Sequence, residues 1–151
     1  MNQSGLQLER YFFVKVDIQA NQQGPANSGG VVTTHLEVSK DNNDPSRYMV
    51  ALTVKLAVVE GKTAPYFGEV TVLGVFHVVA GAHKTGHHKP DDLVTVNGAS
   101  ILYGVAREMV ANVSARGPWP AVTLPCMNFN ASGQQQKVSE VSETTKAEDC
   151  K

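Results

Sequence analysis

His83, His87 and His88, followed by Asp91 and Asp92, are the side chains of this sequence best suited to hold a transition metal, because imidazole and carboxylate are natural ligands for zinc and its neighbours. Their spacing fits no fixed metal motif, and Lys84 and Lys89 place positive charge among them. They read as a solvated loop. His35 and His77 fall on extended segments and read as sheet-face groups. Ser114 and the other serines lack the glycine-flanked elbow of a hydrolase nucleophile. Cys126 as a nucleophile would need a nearby base and a depressed pKa. Its neighbours Leu124, Pro125, Met127 and Phe129 predict packing instead. Gly29-Gly30 opens a strand, not a helix, so it does not cradle phosphate. No two carboxylates form an acid–base pair, and Glu69 reads as a solvated or interface group. No catalytic residue, metal or cofactor is expected.

What the chain has in excess is apolar surface. Its most distinctive stretch is Ile101 to Phe129, ILYGVAREMVANVSARGPWPAVTLPCMNF. Ile101, Leu102, Val105, Ala106, Met109, Val110 and Val113 recur with helical spacing and predict an amphipathic helix over 101–116. Arg116 suits the last turn, Gly117 the C-terminal cap, and Pro118 and Pro120 forbid continuation. Trp119 sits on the Pro-Trp-Pro corner, and the uncharged segment Ala121 to Phe129 reads as an extended apolar arm.

Four strands precede the helix. Arg10–Ala20 alternates with Phe12, Val14, Val16 and Ile18 on one face. Val31–Ser39 alternates with Val32, Thr34, Leu36 and Val38, and Tyr48–Val58 with Tyr48, Val50, Leu52, Val54, Leu56 and Val58. Tyr66–Val79 turns Val70, Val72, Phe76 and Val78 inward, and Gly74 suggests a bulge. Short turns join the four in sequence. The expected fold class is α+β: a four-stranded antiparallel meander, one long helix covering its apolar face, then the arm. Residues 1–133 form the folded domain. Residues 134–151 read as a polar, disordered tail, compatible with a short C-terminal helix over 134–141 but not a well-packed one.

The chain of 151 residues is one domain by length. A formal charge of −1 and a pI near 6.5 argue against a nucleic-acid surface. No window is long and apolar enough to insert in a membrane. MNQSGLQLER lacks a basic start followed by an apolar run, so a cytoplasmic location is expected, with Cys126 and Cys150 as free thiols. From the residues alone, the arm either closes the chain's own core or an oligomer interface, or binds a client.

The stretch resembles the SecB export-chaperone family and its SecB-like relatives. The resemblance is carried by Arg107 and Glu108 within the helix, and by Ser114, Arg116 and Gly117 at its end. Trp119, Pro120, Leu124, Asn128 and Phe129 carry it along the arm, and GEVTVLGVFHVVAG at Gly68 to Gly81 is similar to the family's fourth strand. It spans roughly residues 6–131, specific in the second half and weak in Asn21 to Ser46.

This resemblance implies a cytoplasmic holdase without ATP or any cofactor. It implies a homotetramer, a dimer of dimers with the helices sandwiched between eight-stranded sheets. Unfolded or precursor polypeptides would lie in hydrophobic grooves, lined here by Leu36, Val38, Tyr48, Val50, Trp119, Leu124, Met127 and Phe129. Ile101, Leu102, Val105 and Met109 would meet the oligomer interface. The family docks the SecA motor through acids on the outer face of the first strand. Lys15 and Gln19 stand at those positions and only Glu69 keeps a carboxylate, so SecA docking is expected to be weak. The alternative is a dedicated adaptor for a single partner, such as an antitoxin.

Overall fold

The structure, a computed structural model, describes residues 5–23, 30–81, 89–130 and 140–141. His83, His87, His88 and Cys150 lie outside them. Alternating β-branched and aromatic residues build four long strands: β1 (Leu6–Ala20), β2 (Gly30–Lys40), β3 (Arg47–Val58) and β4 (Tyr66–Val78). In β3 the pattern is cleanest. Tyr48, Val50, Leu52, Val54 and Leu56 are 6% exposed or less, while Met49 on the other face is 43% exposed.

The α+β class is as expected, but the strand order is not that of a simple meander. A short β5 (Glu140–Val141) completes a sheet ordered β1-β4-β3-β2-β5, antiparallel throughout. The tight turns after β2 and β3 keep those strands beside their successors. The longer connection over 21–29 lets β1 cross to the far side and pair with β4, a Greek-key arrangement. β3 and β4 thereby become central. The end of the anticipated 134–141 helix is instead the strand β5, and residues 134–139 lie outside the described ones.

In β1 the expected inward face is partly reversed. Its register against β4 slips between Leu8 and Arg10 and again between Phe13 and Lys15. A bulge sets two residues against one, and a one-residue slip exchanges the faces of a strand. Phe13 packs against the core, while Phe12 is 45% and Val14 61% exposed. No irregularity falls at Gly74, which pairs in register with Tyr11 and Val50. A Cβ there would lie 2.8 Å from both Leu102 Cδ2 and Phe76 Cε2, so the missing side chain admits the helix.

That helix begins about three turns earlier than its apolar spacing suggests. It runs as α1 (Pro90–Leu93), a wide π turn over Val94–Gly98, and α2 (Ala99–Ser114). Pro90 opens the first turn, where its missing N–H costs nothing, and Asp91 and Asp92 complement the helix dipole. α2 lays Ala99, Leu102, Tyr103, Ala106, Val110 and Ser114 on the sheet. Arg116 lies just beyond the last turn, where its Nη1 donates to the Asn112 carbonyl at 2.7 Å. Gly117 is not in the left-handed region that a capping glycine adopts. It is needed because a Cβ would overlap the buried Tyr66 hydroxyl.

The Tyr48 hydroxyl donates to Asp91 Oδ1 at 2.6 Å, tying the helix start to β3. That hydrogen bond, with the positive Lys40 beside it, holds the Asp91 carboxyl below its ordinary range. A depressed pKa stabilises the fold above the unfolded value and loses that contribution as pH falls through the folded one. Asp91→Ala should therefore cost about 1 kcal/mol at neutral pH, the scale of one hydrogen bond. Urea midpoints of the two proteins should converge in acid, below the ordinary carboxyl value of 3.8. A gap unchanged by pH would rule out the carboxylate as the cause.

Candidate binding surface

After α2 the chain turns a corner fixed by Tyr66. Its Oη accepts the Trp119 backbone N–H at 3.0 Å and shares its proton between the carbonyls of Ser114 and Trp119. The indole Nε1–H of Trp119 donates to the Asn21 carbonyl at 2.9 Å, bringing in the end of β1. Ser114, fully buried, accepts the Val122 N–H on its Oγ at 2.9 Å. The arm then runs back along α2. Tyr103 donates its hydroxyl to the Pro125 carbonyl, and its ring meets Phe129 edge-on at 5.9 Å between centroids. Burial pushes the Tyr103 phenol up to about 12. The phenol remains a neutral donor at any ordinary pH.

The eight candidate client-binding residues divide under this geometry. Tyr48, Val50 and Leu124 are sealed in the core, at 2% exposure or less. Leu36, Met127 and Phe129 are half-buried against that same core. Val38 is 37% exposed, and Trp119 is half-buried at the corner. The sheet's apolar face is thus closed by the arm near Leu124 and opens toward Val38 along β2. Of the helix set, Leu102 is buried on Gly74 and Phe76. Ile101, Val105 and Met109 follow one another at successive turns beside the buried stripe; Ile101 is 39% exposed, while Val105 is half-buried against the core.

On the outer sheet face, Lys15 Nζ donates to the Glu69 carboxylate. This hydrogen bond and charge raise the Lys15 pKa. Asp17 and Lys55 flank Glu69 across the ladder, so this face carries two charges of each sign. Sequence reasoning missed three features. Tyr66 and Tyr103 act as anchors of the arm, and neither has a local signature. Phe12 lies 45% exposed on β1 because the bulges change its phase, and Tyr11, on the opposite face beside Phe13, is 48% exposed. Cys126 is disulfide-bonded, against the expected free thiol. That expectation rested on cellular compartment, which says nothing about which sulfurs a fold brings together. Among the described residues no cluster of three or more His, Cys, Asp or Glu could hold a metal ion.

The family model for SecB, preprotein translocase subunit SecB, matches residues 14–140. The chain belongs to the SecB family. A protein-export protein SecB from Legionella pneumophila (strain Corby) is 33% identical over 106 residues, covering 70% of this chain and 62% of that protein. One from Alkalilimnicola ehrlichii is 33% identical over 103 residues, covering 67% and 51%. The chain thus spans about half to three-fifths of the length of the curated SecB proteins it matches. Among solved structures, a SecB-like chaperone of Mycobacterium tuberculosis in complex with a ChAD peptide from an antitoxin has the same fold. The TM-score is 0.61 at 16% identity, over 82% of this chain and 88% of that one. SecB proteins are chaperones.

Proposed function

We propose that the chain is an ATP-independent holdase that catches unfolded or nascent polypeptides on apolar surface and keeps them competent for export. It is not an enzyme in this reading. The observation that carries it is the apolar surface left open in a SecB-family fold. Tyr11, Phe12, Val14, Val16 and Val38 are all between 37% and 61% exposed. Burying such surface against an unfolded chain supplies affinity without sequence specificity. The client groove would use Leu36, Val38, Met127 and Phe129. The working form would be a cytoplasmic homotetramer, with Ile101, Val105 and Met109 meeting the neighbouring helices. Residues 1–133 would carry the chaperone and 134–151 the tail.

The Lys15–Glu69 pair favours a second reading, a dedicated chaperone for one partner that is not coupled to SecA. With Glu69 occupied by Lys15, no net negative field remains there to steer a basic docking motif. Lys15→Glu with Gln19→Glu should raise binding of this protein to SecA in a pull-down or by calorimetry. Unchanged binding would move the docking surface elsewhere.

Light scattering from several unrelated denatured proteins, with no nucleotide present, tests the main reading. Suppression across the set near one tetramer per client is the expected result. A folded protein that suppresses none of them would be a single-partner adaptor.

A further inference from the structure

Tyr66 is 4% exposed, and its hydroxyl is spent mostly on one other residue. The Oη accepts the Trp119 N–H at 3.0 Å and donates to the Trp119 carbonyl at 2.9 Å. The Ser114 carbonyl, also within reach, is supplied by the Gly117 N–H at 3.0 Å, so the phenol proton matters most at Trp119. The third polar atom of Trp119, its indole Nε1–H, donates to the Asn21 carbonyl at 2.9 Å. Asn21 is itself pinned beside the start of β4. Its N–H donates to the Pro65 carbonyl at 2.8 Å and its Nδ2 to that of Ala64 at 3.0 Å.

Trp119 therefore has every polar atom satisfied within the chain. Pro118 fixes its own φ and Pro120 restricts the residue before it, so the corner is stiff before any partner arrives. What the half-buried side chain leaves at the surface, between two exposed prolines, is ring alone. An aromatic face that asks water for no hydrogen bond, with few rotamers left to lose, is a strong contact for apolar groups. Chain reversal needs the prolines and Gly117; it does not need an indole held at three points. The corner also continues the open apolar surface of β1. Ala20 pairs with Tyr66, and Ile18 and Val16 follow on the same face, Val16 being 42% exposed.

We infer that Tyr66 is a positioning residue for client binding: its hydroxyl holds Trp119 so that the indole face meets an apolar side chain of an unfolded segment lying along the end of β1. Tyr66 touches no client itself. The inference rests on the chaperone reading above and adds a contact at the Tyr66 end of the sheet, opposite the Val38 opening. Replacing the hydroxyl by hydrogen leaves the ring in the core but strips the Trp119 backbone of both partners. The indole then samples several orientations, and affinity falls with the fraction of time spent in the competent one.

Trp119 is the chain's one tryptophan, so its fluorescence reports this corner alone. The probe is a labelled, tryptophan-free peptide rich in phenylalanine and leucine. Peptide binding to the parent protein should shield Trp119 from acrylamide. Tyr66→Phe should admit acrylamide faster before peptide is added, and should weaken peptide binding about threefold. Trp119→Ala should weaken it about tenfold, the scale of an aromatic anchor. In the Trp119→Ala background, Tyr66→Phe should change nothing further, a coupling that a merely stabilising tyrosine would not show. Unchanged affinity in Tyr66→Phe, or equal weakening in both backgrounds, would overturn the positioning role. Unchanged quenching in the parent with peptide bound would overturn the contact and leave the chaperone reading intact on β2. A parent protein that binds neither peptide nor denatured proteins would overturn both. Should Trp119→Ala unfold, as circular dichroism would show, quenching and affinity in the parent and Tyr66→Phe proteins decide the matter.

Discussion

Gly68→Ala is expected to open the β1–β4 ladder and destabilise the fold by at least about 3 kcal/mol. Gly68 sits at φ +139°, outside the range in which side-chain-bearing residues settle. An added Cβ would also overlap the Asp17 carbonyl oxygen and stand 2.8 Å from its carbon, directly across the ladder. Both obstacles belong to the backbone, so no rotamer change relieves them. The only relaxation is to separate the strands, which exposes core-facing Ile18 and loosens the Lys15–Glu69 pair next to it. Gly61 provides the comparison. It lies at φ +77° in a turn with nothing within 4 Å of a Cβ. Gly61→Ala carries the conformational term alone and should cost about 1 kcal/mol. Urea titration of both variants separates the two effects. Equal costs would mean that the strands yield easily and that the ladder does not restrain position 68.

The β3 strand shows what alternation can deliver. Every second residue from Tyr48 to Leu56 is buried, because a straight central strand lets period two map directly onto two faces. In β1 the same rule misplaced Phe12 and Phe13. Glu9 and Val14 are extra residues whose presence depends on the partner strand, and that partner is β4, a long-range pairing no local pattern encodes. The helix start has a signal in the sequence. Pro90 followed by two aspartates is an opening signal, but it stands eleven residues before the apolar stripe begins at Ile101. The candidate surface divided for a different reason. Apolarity marks Leu124 and Val38 equally, and only the route of the arm decides that one is sealed and the other open. The fixing points of that route are hydroxyls of Tyr66, Tyr103 and Ser114, residue types that carry no positional signal in sequence.

Leu124→Ala tests that division. Leu124 is fully buried among the sheet, the helix and its own arm, and a leucine-to-alanine change at such a site costs about 2–5 kcal/mol. The arm has no ladder of its own. It is held at Val122 and Pro125 on either side of Leu124, so the loss should appear first as undocking of 121–130, below the energy of global unfolding. Tyr103 would report this. With the arm undocked its hydroxyl loses the Pro125 carbonyl and its ring gains water, so the phenol should titrate below its present value of about 12. If Leu124 only seals the core, peptide affinity should hold even as stability falls. Met127→Ala and Phe129→Ala, at half-buried positions, should do the reverse, weakening peptide binding more than they weaken the fold. Affinity falling in step with stability for Leu124→Ala would make the arm's interior face part of the client site. The groove would then be one that opens only when the arm lifts.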